Sequence, residues 1–133
     1  MATVFVYGTL LTGQANWARY LKDKAKLLGK DTTKGIMVSL NYFPAVVTFD
    51  PRFGIIHGEL YEVDQQVLAS LDMLEGYNPN TKTGMYKRVD IKVASGLSEV
   101  QAYEFYEKEW CAEKPLIPHG DWLRFLKEQK PNV

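Results

Sequence analysis

The alternation of apolar and polar residues along the chain predicts more strands than helices. Residues 54–63 alternate most clearly, because the apolar side chains fall on every second position over ten residues. Strands are predicted at residues 3–7, 35–40, 54–63, 85–93 and 99–106. Residues 41–51 contain two prolines and predict a loop with a short edge strand at most.

Apolar residues at helical spacing predict three helices. The most regular one follows Asp64, a favourable N-cap residue, and Gly76 is suited to end it in the left-handed conformation. Its apolar stripe consists of Val67, Leu68, Leu71 and Leu74. A second helix is predicted in the first part of residues 16–28, and Asp121 is expected to cap the last one. The inner face of that last helix consists of Trp122, Phe125 and Leu126. Residues 107–118 are charged and contain prolines, which indicates an excursion on the surface.

The order of these elements predicts an α+β fold. Strands outnumber helices, and short turns connect most of them instead of regular βαβ crossovers. We therefore expect a barrel-like mixed sheet with a few flanking helices. A length of 133 residues and an apolar content of 46% are typical of one domain with a well-filled core, here residues 1–133.

The charge balance disfavours several classes of partner. Sixteen basic residues match sixteen acidic ones, so a broad basic face for nucleic acid or an anionic membrane is not expected. The apolar runs are too short to span a bilayer, and the start lacks the features of a signal peptide. A single cysteine excludes an internal disulfide and a cysteine-based zinc site. These features predict a cytoplasmic protein with neither nucleic acid nor a membrane as its main partner, and they leave the oligomeric state open.

The first candidate site is the turn after the first strand. Gly8 and Gly13 have the glycine spacing of a phosphate-binding loop, but the Lys and Ser or Thr that such a loop needs do not follow Gly13. Nucleotide hydrolysis is therefore disfavoured. The N–H groups of Gly8, Thr9 and Leu10 could still face a smaller anion such as a carboxylate. The alternative is a tight turn that requires a positive φ at Gly8.

Glu75 is the second candidate, since it directly follows the apolar stripe of the central predicted helix. A carboxylate near a helix C-terminus faces the negative end of the dipole, and burial adds to the cost of ionisation. Both effects raise the pKa, which suits a general base near neutral pH. The alternative is an ordinary surface glutamate that precedes a glycine cap.

Other polar residues give weaker indications. Tyr86 and Arg88 lie two apart on one strand, where they could orient a carboxylate or make a cross-strand contact. His57 is expected to be structural, and His119 with Cys111 lacks a third partner for nucleophilic catalysis. A solvated edge is predicted for Glu104, Glu107, Glu109 and Glu113, and packing roles for Trp110 and Trp122.

Taken together, the motifs resemble the γ-glutamylcyclotransferase-like family. VFVYGTL, GQAN, GELYEVD, LDMLEGY and Tyr86-x-Arg88 follow one another in the family's order over residues 3–106, and GDW near the end also fits. The likeness is greatest to the small branch that includes γ-glutamylamine cyclotransferase and the plant AIG2-like proteins.

The resemblance implies a barrel-like fold, a site and a reaction. It places the general acid/base on Glu75, and the turn's backbone amides hold the carboxylate of the substrate. Substrate-binding positions are implied at Tyr7, Gly8, Thr9, Leu10, Tyr86 and Arg88. The implied reaction converts the γ-glutamyl group of a small amine or peptide to 5-oxoproline and releases an amine or amino acid, without metal or cofactor. Arg88 could equally be a structural ion-pair partner.

Two other function classes stay open at this point. A non-catalytic binder could keep the fold and cavity to hold a small carboxylate metabolite, and a purely structural or interaction domain would need a large apolar patch. Glu75 beside an intact turn favours the enzyme, because a binder has no need of a base. The sequence leaves open which leaving group is accepted and whether residues 107–119 line the cleft.

Overall fold

Six strands form the central mixed sheet of the protein. A computed structural model describes residues 1–48, 54–105 and 113–129. The sheet strands are β1 (Ala2–Val6), β2 (Lys26–Ser39), β3 (Pro44–Thr48), β4 (Gly54–Val63), β7 (Tyr86–Ile91) and β8 (Val100–Phe105). A two-stranded ribbon consists of β5 (Tyr77–Asn78) and β6 (Thr83–Gly84). The described helices are α1 (Trp17–Tyr20), α2 (Gln65–Leu74) and α3 (Trp122–Gln129).

The strand order is β3-β2-β4-β1-β8-β7, and β1 lies inside the sheet. It pairs antiparallel with β4, where Val4 lies opposite Tyr61, and parallel with β8, where Thr3 lies opposite Val100. The pairing with β4 continues to Val6, which lies opposite Glu59 and is the last residue of β1 before the turn that begins at Tyr7.

Side chains connect the two ends of the sheet and nearly close it into a barrel. On β3, the N–H and hydroxyl of Thr48 donate to Glu104 Oε2 on β8, at 3.0 and 2.6 Å. The hydroxyl of Tyr86 on β7 donates to the carbonyl of Pro44 on β3 at 3.0 Å. Glu104 is 8% exposed, so the prediction that it lies on a solvated edge is wrong. Its carboxylate is buried because it binds the opposite edge of the sheet.

The predicted helix ends are confirmed. Asp64 Oδ1 accepts a hydrogen bond from the N–H of Val67 at 2.8 Å, and Gly76 has a φ of +67° just beyond α2. Asp121 Oδ1 accepts from the N–H of Arg124 at 3.2 Å at the start of α3. Trp122 is fully buried, as its predicted packing role requires.

In the described part of the chain, no helix has the length and apolar character needed to cross a membrane.

The helix predicted in the first part of residues 16–28 is confirmed, and it is short. Helix α1 ends at Tyr20, Asp23 adopts a φ of +61°, and strand β2 already begins at Lys26. Sheet pairing determines this outcome, since Lys26 lies opposite Glu62 on β4 and the pairing continues along β2 after a bulge near Gly29. The strand predicted at residues 35–40 is the last part of β2.

Residues 113–118, the described part of the excursion predicted for residues 107–118, are only partly exposed. Ile117 is 1% exposed, and its N–H donates to the carbonyl of Met37 at 2.8 Å. Ser39 donates to the carbonyl of Pro115 in the same way at 2.9 Å, so this stretch packs on β2. Glu113 is exposed as predicted. The predictions for Glu107, Glu109, Trp110 and Cys111 lie outside the described residues.

Candidate active site

A cavity of about 320 Å³ opens where the end of β1 meets the C-terminal end of α2 and the start of β7. Six of the predicted site residues line it, namely Tyr7, Gly8, Thr9, Leu10, Glu75 and Tyr86. Three separate segments of the chain contribute these side chains and amides. The fold therefore brings together the turn and the glutamate that lie 65 residues or more apart in the sequence.

In the turn after β1, two carbonyl groups accept hydrogen bonds from amides that follow closely in the chain. The carbonyl of Gly8 accepts from the N–H of Leu11 at 3.0 Å, and the carbonyl of Thr9 accepts from the N–H of Asn16 at 2.9 Å. Among the residues that the structure describes, no acceptor is paired with the N–H groups of Gly8, Thr9 and Leu10. Successive unpaired amides on a cavity wall form a site for a small anion.

Position 8 requires a glycine because Pro44, from another segment of the chain, packs closely against it. A Cβ atom at this position would lie 2.6 Å from Cγ and 2.7 Å from Cδ of Pro44. The alternative explanation from the sequence, a turn with positive φ at Gly8, is wrong because Gly8 is not among the residues with positive φ. Pro44 thus packs directly against the turn that carries the amides.

Gly8→Ala is expected to lower the free energy of unfolding by about 1–3 kcal/mol, the usual cost of forcing extra volume into a packed site. Urea unfolding of the variant and the parent measures this change. Gly54→Ala is the matched control, since its Cβ would meet nothing nearer than 3.6 Å. Adding Pro44→Ala to the Gly8→Ala variant is expected to recover stability. An equal loss of unfolding free energy in Gly8→Ala and Gly54→Ala would contradict the packing argument.

A buried glutamate holds the far end of the turn. Glu59 on β4 is 9% exposed, and its Oε1 accepts a hydrogen bond from the N–H of Thr12 at 2.7 Å. The indole N–H of Trp17 donates to the hydroxyl of Tyr61 at 3.0 Å, and that hydroxyl also bonds the side chain of Thr12. Sequence reasoning missed Glu59, although it stands within the clearest alternating strand.

Glu75 lies at the C-terminal end of α2, where its own N–H donates to the carbonyl of Leu71 at 2.9 Å. Its carbonyl accepts from the N–H of Tyr86 at 3.3 Å, which ties the helix end to β7. In the described ranges, no group donates a hydrogen bond to the Glu75 carboxylate. Burial raises the pKa of Glu75 to about 7. The predicted direction of the shift is confirmed, and burial is its cause.

Tyr86 forms part of the cavity wall. It is 5% exposed, its hydroxyl donates to the carbonyl of Pro44, and its ring meets that of Phe105 edge-on at 5.3 Å. Tyr7 is also buried, and its hydroxyl donates to the carbonyl of Tyr103 at 2.6 Å. Tyr7 therefore connects the end of β1 to β8, and Tyr86 connects β7 to β3, each through a hydrogen bond to a backbone carbonyl.

Arg88 does not line the cavity. Its Nη1 pairs with both carboxylate oxygens of Asp72, at 3.1 and 3.2 Å. This ion pair is the structural role that the sequence analysis gave as the alternative for Arg88. The hydroxyl of Tyr103 donates to Asp72 Oδ1 at 2.6 Å, and Tyr103 does line the cavity. Burial, followed by the bond to Asp72, raises the pKa of Tyr103 well above its usual value. Tyr103 therefore stays protonated beside the cavity.

Sequence reasoning also missed Asp72 and Tyr103. Asp72 is 4% exposed and sits one helical turn before Glu75. The available signal was a charged residue next to the apolar stripe of α2, in a position where a buried carboxylate needs a partner. The Asp72 network fixes α2 to β7 and β8 behind the cavity, and thereby holds the helix end that carries Glu75.

The two histidines lie outside this cavity. His57 is exposed on β4, and His119 Nε2 pairs with Glu128 Oε1 at 2.7 Å on α3. Over residues 1–48, 54–105 and 113–129, no three His, Cys, Asp or Glu side chains are placed to hold a metal ion.

The barrel-like mixed sheet defines an α+β protein with a cavity between an amide-bearing turn and a protonatable carboxyl group. The chain belongs to the gamma-glutamyl cyclotransferase, AIG2-like family, whose model matches residues 4–124. This match extends over both the turn and Glu75, so the resemblance noted in the sequence is confirmed.

Curated relatives and a solved structure agree with this assignment. A Methanocaldococcus jannaschii protein named "Putative gamma-glutamylcyclotransferase MJ1514" is 37% identical over 123 residues, which cover 92% of this chain and 96% of the relative. The gamma-glutamylcyclotransferase family protein YtfP of Escherichia coli K12 is 33% identical, with 90% and 95% covered. The crystal structure of an AIG2-like protein from Mus musculus superposes with a TM-score of 0.72 at 28% identity, covering 92% of this chain and 88% of that one.

Proposed function

We propose that this protein is an enzyme that cyclises the γ-glutamyl group of a small γ-glutamyl amine or peptide. The products are 5-oxoproline and a free amine or amino acid. The observation that carries the proposal is the Glu75 carboxyl group, with a pKa of about 7, in the same cavity as the unpaired amides of Gly8, Thr9 and Leu10.

The substrate supplies its own nucleophile. The α-amine of a γ-glutamyl group attacks the γ-carbonyl carbon, the bond from that carbon to the leaving nitrogen breaks, and a five-membered lactam forms. A cavity that holds the chain curled brings amine and carbonyl into contact, and such intramolecular reactions gain effective molarities of about 10⁵ M or more. Much of the acceleration thus comes from the shape of the cavity.

Glu75 handles the protons in this scheme. The α-ammonium must lose one proton before it attacks and a second one as the lactam forms. The leaving nitrogen gains one proton before it departs, and the released amine takes up the other. A carboxyl group with a pKa of about 7 exchanges protons in both directions near neutral pH, so Glu75 acts first as base and then as acid. No hydrogen bond from the described residues restrains its carboxylate in either form.

The turn handles the negative charges. The N–H groups of Gly8, Thr9 and Leu10 receive the α-carboxylate of the substrate in this proposal, which is the role that the family resemblance assigns to them. Their place in the cavity lining and their lack of an acceptor among the described residues support this role. The same turn can donate to the oxyanion that develops on the γ-carbonyl oxygen. Donors fixed before the reaction stabilise such charge without reorganisation.

Release of 5-oxoproline from a panel of γ-glutamyl compounds tests the proposal. The panel contains glutathione, γ-glutamyl amino acids, γ-glutamyl-ε-lysine and γ-glutamyl methylamide, and we expect 5-oxoproline in equal amount to the released amine from at least one of them. Binding of these compounds without any turnover would instead identify a non-catalytic binder of a small carboxylate, which has no need of a base at position 75.

The pH profile is expected to show the ionisation of Glu75. Only the carboxylate form accepts a proton, so kcat/KM should fall about tenfold per pH unit below about pH 7 and level off above it. Initial rates of 5-oxoproline release between about pH 3.5 and 9 measure this profile. An inflection at the ordinary glutamate pKa of 4.5 would contradict the assignment of Glu75 as the base.

A further inference from the structure

Two neighbouring strands present an arginine and a tyrosine to the same buried carboxylate. Arg88 on β7 lies directly opposite Tyr103 on β8, so both side chains leave the sheet on the same face. Both donate to Asp72 on α2, the guanidinium at 3.1 and 3.2 Å and the hydroxyl at 2.6 Å. Asp72 is 4% exposed, and among the described residues these two groups are the partners of its carboxylate. Tyr103 therefore shares with Arg88 the neutralisation of a buried charge.

Tyr103 also connects the two sides of the cavity. Its carbonyl accepts from the hydroxyl of Tyr7 at 2.6 Å, where the turn that carries the amides begins. Its hydroxyl donates to Asp72, which lies three residues before Glu75. Tyr103 and Glu75 both line the cavity. Tyr103 is thus hydrogen-bonded both to the residue at the start of the turn and to the helix that carries the candidate base.

The charge on Asp72 affects Glu75 because of its place on the helix. Residues three apart on a helix are neighbours, with Cβ atoms about 5–6 Å apart. An uncompensated carboxylate at that distance would disfavour the charged form of Glu75 and raise its pKa. Burial is the cause of the raised pKa of Glu75, and Asp72 is not among its causes. This behaviour is expected of a carboxylate whose charge is compensated by Arg88 and Tyr103.

The other titratable groups near Glu75 bring no second carboxylate. Apart from Tyr103, three elements of the described chain contribute such groups around this end of α2, namely Tyr7 of the turn, Tyr77 of β5 and Tyr86 of β7. The hydroxyls of Tyr7 and Tyr86 donate to backbone carbonyls, and the ring of Tyr77 lies 5.6 Å from the guanidinium of Arg88. The described residues of β3 and α1 that line the cavity are not titratable. Compensation of the Asp72 charge is therefore the electrostatic control that the described residues place beside Glu75.

We infer that Tyr103 is a positioning residue for the proposed cyclisation, because its hydroxyl holds and partly neutralises the Asp72 carboxylate and so lets Glu75 work as a carboxylate near neutral pH. This inference rests on the proposed function. Burial, followed by the bond to Asp72, raises the pKa of Tyr103 well above its usual value, so Tyr103 does not exchange protons with the substrate. Its effect on the reaction passes through Asp72.

Tyr103→Phe removes the hydroxyl and keeps both the ring and the backbone carbonyl that accepts from Tyr7. The Asp72 charge then loses one of its two partners, so the pKa of Glu75 should rise by about half a unit or more. With γ-glutamyl methylamide as substrate, kcat/KM should fall about threefold or more at pH 6 and stay nearly unchanged at pH 9. A loss of equal size at both pH values would indicate a merely structural role and overturn the inference.

Tyr42→Phe is the matched control for this substitution. Tyr42 is 87% exposed and does not line the cavity, so the same loss of a hydroxyl should leave the pH profile unchanged. A shift in Tyr42→Phe as large as that in Tyr103→Phe would overturn the inference as well.

Carbon-13 NMR of the full chain with labelled glutamate side chains measures the ionisation of Glu75 without any turnover, and Glu75→Gln assigns its signal. We expect an inflection near pH 7 in the wild type, a higher one in Tyr103→Phe and a lower one in Asp72→Asn. Adding Tyr103→Phe to Asp72→Asn should cause no further rise, since the charge that the hydroxyl compensates is already gone. An unchanged inflection in Tyr103→Phe, or an equal rise in the Asp72→Asn background, would contradict the role of Asp72 as the intermediary.

The two measurements separate this inference from the proposed function. If 5-oxoproline is formed but neither the NMR inflection nor the pH profile shifts in Tyr103→Phe, the inference is overturned and the cyclisation stands. If the NMR inflections shift as expected but no γ-glutamyl compound yields 5-oxoproline, the proposed function fails, and the role of Tyr103 in the reaction fails with it.

Discussion

Glu75→Gln is expected to lower the rate of 5-oxoproline formation by at least about a hundredfold while the fold persists. The amide keeps the size of the side chain but cannot accept the proton of the α-ammonium or return one to the leaving nitrogen. The turn amides and the cavity walls are unchanged, so binding of a γ-glutamyl compound should be retained. Initial rates of 5-oxoproline release and calorimetric binding measure the two effects separately.

The matched control is Glu113→Gln, which makes the same change at an exposed glutamate outside the cavity and should leave the rate unaltered. A rate loss of less than tenfold in Glu75→Gln would contradict the role of Glu75 as base and acid.

Glu75→Gln is also expected to change how the stability of the protein depends on pH. Burial raises the pKa of Glu75 to about 7 in the folded protein, against 4.5 in the ordinary carboxyl group, so the folded state binds its proton more tightly than the unfolded chain. This contribution to stability is present below about pH 4.5 and is lost as pH rises to about 7. Glu75→Gln escapes that loss, and its melting temperature should therefore exceed that of the parent most clearly at pH 8.

Arg88→Met is expected to produce the largest loss of stability, about 3–5 kcal/mol in the free energy of unfolding. Asp72 is 4% exposed, and the variant leaves its carboxylate buried with the hydroxyl of Tyr103 but without the cation. Since Asp72 lies one turn before Glu75 on α2, the helix end that carries the candidate base should loosen as well. Urea unfolding followed by far-UV circular dichroism measures the change.

Two further variants make this prediction specific. Arg124→Met removes an exposed arginine whose pair with Glu128 spans 3.7 Å, and its cost should stay below about 1 kcal/mol. Adding Asp72→Asn to Arg88→Met removes the unpaired charge and should recover part of the stability. Equal losses of unfolding free energy from Arg88→Met and Arg124→Met would show that the buried ion pair stabilises the fold no more than the exposed one.

Local sequence signals predicted the parts of the fold that local interactions determine. The alternating strand at residues 54–63 and the helix that follows Asp64 are found as predicted, because their side-chain periodicity and caps act over a few residues. The turn beginning at Gly8 and the glutamate at the end of α2 were also located, since each directly follows such an element.

Long-range contacts decided what the sequence could not predict. Residues 26–28 join β2 because β4 offers a partner strand, and no local pattern records that pairing. Glu104 is buried because Thr48, 56 positions away in the chain, donates to it twice. Gly8 is small because Pro44 packs against it, a contact between segments that no local pattern records.

The product formed from γ-glutamyl methylamide tests the central claim most directly. Incubation with the wild-type protein, followed by proton NMR, distinguishes 5-oxoproline from glutamate, and the N-acetylated substrate shows whether a free α-amine is needed. We predict 5-oxoproline and methylamine in equal amounts and no reaction of the N-acetyl compound. Glutamate as the product, or turnover of the N-acetyl compound, would contradict attack by the substrate's own amine.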